Sequence, residues 1–479
     1  MDLIKRMAVF FAAVCLCVSL ASCASSKENG ETPKEPMTAE TAEPIADELR
    51  TDYTEDETAK NKVEALQASF SDLMESNALD FTVSSENGKI TVTGYTGREA
   101  SVRIPTEIQG LPVVAIGDAA FAGKTFLQTL YLPDSVQTLG EGILSGCNAL
   151  TALRTPLLGA NTSAEQFLGY LFGAEKQIDN PTVVPATLQY LELGGTAKQL
   201  ADYALFDCND LVCVTLPNTM TELGVYSLYY CGSLLAINTD HLTKISAHAL
   251  DSCFSLTRLT FGTELTSVGL GALEGCIGLR NLTLPFVGGS ATEHTYLGYV
   301  FGAETPDFSK GYYPPYLTSV TLLSTCKQLG NEAFYECEPL LSVHLPDSLQ
   351  SVGVRAFAGC VHLETVRVPA SVTEIRENAF FGCLGLEQVT VEEPSSLQSL
   401  GVNAFYRCSS LRTVTLPQSL KSIPASCFAG CLNLEDVDLG GVQTVGKNAF
   451  RHCESLKTLT ALSEITFDDG NENAKALRN

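Results

Sequence analysis

From about residue 116 the apolar positions recur with a period in the low twenties. Two examples are AFAGCVHLETVRVPASVTEIRENAFFGC, Ala356 to Cys383, and AFYRCSSLRTVTLPQSLKSIPASCFAGC, Ala404 to Cys431. The shared pattern is A-F-x-x-C-x-x-L-x-x-V-x-L-P-x-S-L-x-x-I. In Leu363-x-x-Val366-x-Val368-Pro369 the alternation puts Val366 and Val368 inward and Arg367 outward, which predicts a short strand. Pro369 suits the strand end, where no ladder donor is required. Val372 and Ile375 turn inward again. Asn378-Ala379-Phe380 reads as a short helical or 3₁₀ turn that drives Phe380 into the core. One such unit cannot bury its own apolar residues, whereas stacked units bury them against each other. A period of this length therefore predicts a solenoid.

Cysteine gives the clearest ruler, at 147, 208, 231, 253, 276, 337, 360, 383, 408, 431 and 453. Most steps are 22, 23 or 25 residues, and Lys124 takes the same place one step before Cys147. Two steps, 147 to 208 and 276 to 337, are 61 residues long. LGYLFGAE begins at Leu168 and LGYVFGAE at Leu297, 129 residues later, the same offset that separates Cys147 from Cys276. A block of repeats was duplicated together with its insertion. Each long step fits one further rung plus an insertion, at about 157–185 and 286–315, giving about fourteen rungs between residues 116 and 465.

The N-terminus carries a different pattern. Lys5 and Arg6 precede an apolar run from Met7 to Leu20, too short to span a bilayer and flanked like a secretory signal. Leu20-Ala21-Ser22-Cys23 resembles the bacterial lipobox. That resemblance implies a signal peptide over 1–22, cleavage before Cys23 and a lipid on its thiol. A polar tether, 23–56, follows. Residues 24–60 hold eleven acidic against four basic residues, with three prolines, and cannot build a core. Val63, Leu66, Phe70, Leu73 and Met74 recur at helical spacing and predict an amphipathic helix over 57–78, a stalk or a lid on the first rung. Residues 79–115 are expected to be a β segment capping the solenoid, and 466–479 a polar tail. No C-terminal cap is evident, because the rungs fade into Asp468 to Asn479.

The repeat resembles the BspA-like class of leucine-rich-repeat bacterial surface proteins over about residues 79–465. The opening segment, Phe81 to Phe121, also resembles the start of such arrays. The resemblance implies an α/β fold: a right-handed β/α leucine-rich-repeat solenoid of short strands and short helical or 3₁₀ turns. It further implies exposure at the cell surface, adhesion to extracellular protein or glycan, no catalysis and no cofactor. The chain would be an extracytoplasmic lipoprotein held to the bacterial membrane through Cys23. The alternative is a structural envelope or cell–cell spacer acting through self-association.

Composition narrows the partners. Thirty Lys and Arg against 55 Asp and Glu leave a formal charge of -25, which repels phosphates and argues against nucleic acid. Seventeen cysteines in a secreted chain suggest disulfides. Eleven of them, however, occupy one fixed repeat position, which suits a buried ladder of reduced thiols. Cys213, Cys326 and Cys427 lie off that ladder. Neither the cysteines nor the six histidines show a metal-site or nucleophile spacing, and no metal is expected, although histidines could meet across rungs. The outward strand position carries Tyr131, Thr215, Thr260, Thr283, Thr321, His344, Arg367, Thr390, Thr415 and Asp438. Threonine there is simply a good exposed strand former. The candidate ligand face is a polar platform marked by Tyr131, His344, Arg367 and Asp438. The aromatic-rich insertions are either a second contact surface or flaps folded back onto the solenoid.

Overall fold

The computed structural model describes residues 53–477, apart from Ser463. The signal, most of the tether and Cys23 lie outside them. The chain is a parallel β-solenoid. Fifteen short strands stack into two sheets along one side, six from Ser101–Arg103 to Ala236–Ile237 and nine from Arg258–Thr260 to Thr458–Thr460. Fourteen belong to the repeats counted above, and Ser101–Arg103 is contributed by the preceding segment. Each long step does carry a further rung beside its insertion, Tyr190–Leu193 and Ser319–Leu322.

A single rung shows why the sequence winds this way. Thr365–Val368 is a strand whose Val366 and Val368 are buried while Thr365 is exposed. The chain turns after Pro369, and Glu374–Ile375 pairs with the equivalent dipeptides of the rungs on either side. The third side is not helical. Asn378 at φ 55° and Gly382 at φ 70° break any right-handed helix after three residues. Instead the turns stack: the amides of Asn378, Phe380 and Gly382 donate to the carbonyls of Val402, Ala404 and Tyr406 in the next rung. Every side of the coil is thus closed by hydrogen bonds between rungs.

Two columns fill the interior. Phe334, Phe357, Phe380, Phe405, Phe428 and Phe450 stack nearly parallel, with centroids 5.0–5.6 Å apart. The fourteen described cysteines from Cys147 onward are all free and buried. Nine of the eleven ladder thiols bond to the rung before: Cys360 donates to the Phe334 carbonyl at 3.0 Å and Cys383 to that of Phe357 at 3.1 Å. A thiol is small enough for the slot and satisfies a carbonyl there.

Both ends are covered. At the N-terminal end an antiparallel hairpin, Phe81–Glu86 with Lys89–Tyr95, lies beside Leu111–Ile116. At the C-terminal end the polar tail proves to be a cap. Asn471 is fully buried; its Oδ1 accepts from the Phe450 amide, and its Nδ2 donates to the Gly446 and Asp468 carbonyls. Asn473 donates to the carbonyls of Phe450 and Cys453. Side-chain amides here take the donor and acceptor places that backbone groups fill between rungs, and they carry no apolar signature in sequence.

The N-terminal helix, α1, spans Tyr53–Gln67 and continues as a 3₁₀ turn, Ala68–Phe70. It ends earlier than the pattern predicted, and Met74 is exposed. It does not cover the first rung's end. It lies across the outer surface of the six-strand sheet, where Phe70, Val63, Leu66 and Leu73 pack on Tyr131, Ala152, Tyr190, Cys213 and Ala236. Arg103 Nη1 then donates to the Leu73 carbonyl, and the Ser76 amide to that of Arg103.

Candidate functional site

The outward surface of the two sheets is the candidate site, and its two parts differ. In the nine-strand sheet one column runs Thr260, Thr283, Thr321, His344, Arg367, Thr390, Thr415, Asp438 and Thr460, set by the parallel register. At about 4.8 Å per strand the column is roughly 38 Å long. His344 and Asp438 are exposed. Arg367 lies between them, bonded on three sides. Its Nη2 donates to Asp347 Oδ1 at 2.6 Å, its Nε to Glu392 and its Nη1 to the Leu345 carbonyl. The guanidinium holds the Asp347 carboxyl below the usual carboxylate range. A ligand here therefore meets a neutralising cluster rather than a lone cation. Asp347 and Glu392 were missed from the sequence because each lies about one rung away from Arg367 in the chain.

Tyr131 belongs to the other part. It is half-buried beneath α1: the Phe70 ring meets it edge-on at 5.8 Å, and the guanidiniums of Arg103 and Arg154 lie 4.1 and 4.4 Å from its ring centre. The structure brings His344, Arg367 and Asp438 onto one face that no described segment covers and leaves Tyr131 apart from them. Only the apolar stripe of residues 63–73 hinted at this, because a helix with such a stripe must cover something.

The insertions fold back. Leu168–Phe172 and Leu297–Phe301 are 3₁₀ turns whose leucines, valine and phenylalanines are buried. They take the place of the A-F turn in their rungs: the Leu144 amide donates to Leu171, and the Leu168 amide to Ala204. Around these cores Ile178 and Phe308 remain 61% and 68% exposed.

A continuous parallel solenoid with leucine, phenylalanine and thiol columns defines a leucine-rich-repeat protein. The family model described as the BspA type leucine rich repeat region matches in six copies, over residues 101–172, 176–294, 309–394 and 390–467, and the chain belongs to that family. It is thereby related to bacterial surface leucine-rich-repeat proteins. No curated protein matches it. Among solved structures it is similar to a leucine-rich repeat protein from Bacteroides ovatus, at 18% identity and TM-score 0.31, covering 83% of this chain and 99% of that one. It is also similar to the pneumococcal vaccine antigen PcpA, at 16% identity and TM-score 0.30, covering 82% and 98%. A leucine rich cell surface protein from Faecalibacterium prausnitzii matches at 16% identity and TM-score 0.23, covering 82% and 96%. Among the described residues no helix is long and apolar enough to cross a membrane.

Proposed function

We propose that this chain is a bacterial cell-surface lipoprotein, anchored by a lipid on Cys23, that binds an extended extracellular protein or glycan along its nine-strand face. The observation that carries the reading is the division of the outer surface. Across the first six strands an apolar stripe of Tyr131, Ala152, Tyr190, Cys213 and Ala236 lies under the N-terminal helix and the turn after it, whereas the next nine present polar side chains in register with no described segment over them. Many modest contacts along such a column give affinity, with a few anchors dominating. His344, Arg367 and Asp438 are the anchors proposed. The charge of -25 favours partners with basic patches and weakens binding as salt rises.

The test is a binding screen of the full chain, in detergent, against immobilised matrix proteins, mucins and glycans at low and high salt. A His344→Ala/Arg367→Ala/Asp438→Ala variant runs beside it. A saturable hit, weaker at high salt and at least about tenfold weaker in the variant, is expected. No hit, or a hit the variant keeps in full, overturns the reading; self-association in its place would favour the spacer. Palmitate labelling of the expressed chain, lost in Cys23→Ala, checks the anchor.

A further inference from the structure

The geometry points to a second site: we propose that His248, Asp251 and Glu274, on the turn side of the solenoid, bind a zinc-class divalent cation. His248 and Asp251 belong to one rung. Glu274 takes Asp251's position in the next, 23 residues on. His248 Nδ1 lies 3.1 Å from Asp251 Oδ2 and 3.4 Å from Glu274 Oε2, and one ligand atom from each residue falls within 4.8 Å of the others. Zinc bonds of about 2.0–2.2 Å in a tetrahedral arrangement put neighbouring ligand atoms about 3.3–3.6 Å apart, which contains the His248–Glu274 separation and lies within a few tenths of an ångström of the His248–Asp251 one.

The surroundings favour a cation over a plain ion pair. Nδ1 carries at most one hydrogen and cannot satisfy two carboxylates, whereas a metal accepts all three groups once Nδ1 gives up its proton. The imidazole is held in plane by the Tyr226 ring, stacked at 4.8 Å and 6°. Asp251 is oriented by the Ser252 hydroxyl, which donates to Oδ1 at 2.8 Å. Such second bonds fix ligands in metal sites. Gly271 and Gly302, both at positive φ, border Glu274, and a Cβ at either would approach its Oε2 to 2.8 Å. Glu274 is 41% exposed and leaves a side open for water ligands. One nitrogen with two oxygens suits zinc better than calcium or magnesium.

The duplicated block supplies an internal control. The positions 129 residues earlier are Ala119, Ala122 and Ser145. Their backbone is the same, with φ 52° at Ala119 against 54° at His248 and φ 58° at Gly142 against 65° at Gly271. The fold therefore does not require the trio.

The experiment is calorimetric titration of the full chain, stripped with EDTA and kept reduced in detergent, with zinc chloride. Cobalt(II) absorption separates nitrogen–oxygen from thiolate ligation. One ion per chain is expected, with no thiolate-to-cobalt band. The variant His248→Ala/Asp251→Ala/Glu274→Ser, which copies the sister block, should weaken binding at least about 100-fold, and isosteric Glu274→Gln about tenfold. Both should melt like the parent in EDTA. Absence of stoichiometric zinc binding by the parent, undiminished binding in Glu274→Gln, or a thiolate band overturns the proposal.

Discussion

Two arginines occupy the same place in the two halves of the solenoid. Arg154 donates to Asp134 twenty residues back, to the Leu132 carbonyl and to Glu192 on the following strand. Arg367 does the same with Asp347, Leu345 and Glu392. The bonding is equivalent but the surroundings are not. Arg154 lies against the Tyr131 ring and Glu192 accepts from the Tyr190 hydroxyl, so its side chain is 8% exposed against 38% for Arg367. One repeat code makes the clamp in both places, and the aromatic side chains beside it decide how far it is buried.

The comparison can be broken most forcefully in the nine-strand half. Phe405→Ala, in the middle of the phenylalanine column, should cost about 3–5 kcal/mol in urea unfolding and raise the unfolding rate of that half. Phe70→Ala should weaken helix docking by about 2–3 kcal/mol. Its signature is specific: Cys213, whose thiol burial pushes up to about 11 and which receives a bond from Gln67 under the helix, becomes open to alkylation. The ladder thiols stay protected. Arg154→Ala removes a buried guanidinium that packs on Tyr131 and leaves the Leu132 carbonyl and the part-buried Glu192 without their partner, and should cost about 1–3 kcal/mol in urea unfolding. Arg367→Ala should change stability by less than about 1 kcal/mol, because the exposed pair is solvated and screened; its effect belongs to binding. Equal losses for the two arginine variants would erase the distinction between the halves.

The repeat, its duplication and the buried thiol column were legible in the sequence, because each rung repeats the same local choice. The turn over Asn378 to Phe380 is not a helix; its mark in the sequence is the asparagine itself, which tolerates positive φ and recurs as Asn403 and Asn448 at the same position with φ 55° and 58°. The cap was hidden: Asn471 acts through amide hydrogen bonds to a neighbouring rung, and a polar tail looks the same whether or not it docks. The cation site left a trace, with Asp251 and Glu274 one period apart, but His248 faces Glu274 only once rungs are stacked.

By itself the sequence determined the winding of the chain. Inward residues recur with the coil, and hydrophobic burial rewards only the register that superposes them. Which part of the outer surface remains bare was decided by tertiary structure alone. Outward residues gain little from their own rung, so their role depends on what a distant segment covers. Here Val63, Leu66, Phe70 and Leu73 found Tyr131, Ala152, Tyr190 and Cys213, and left His344, Arg367 and Asp438 to the solvent.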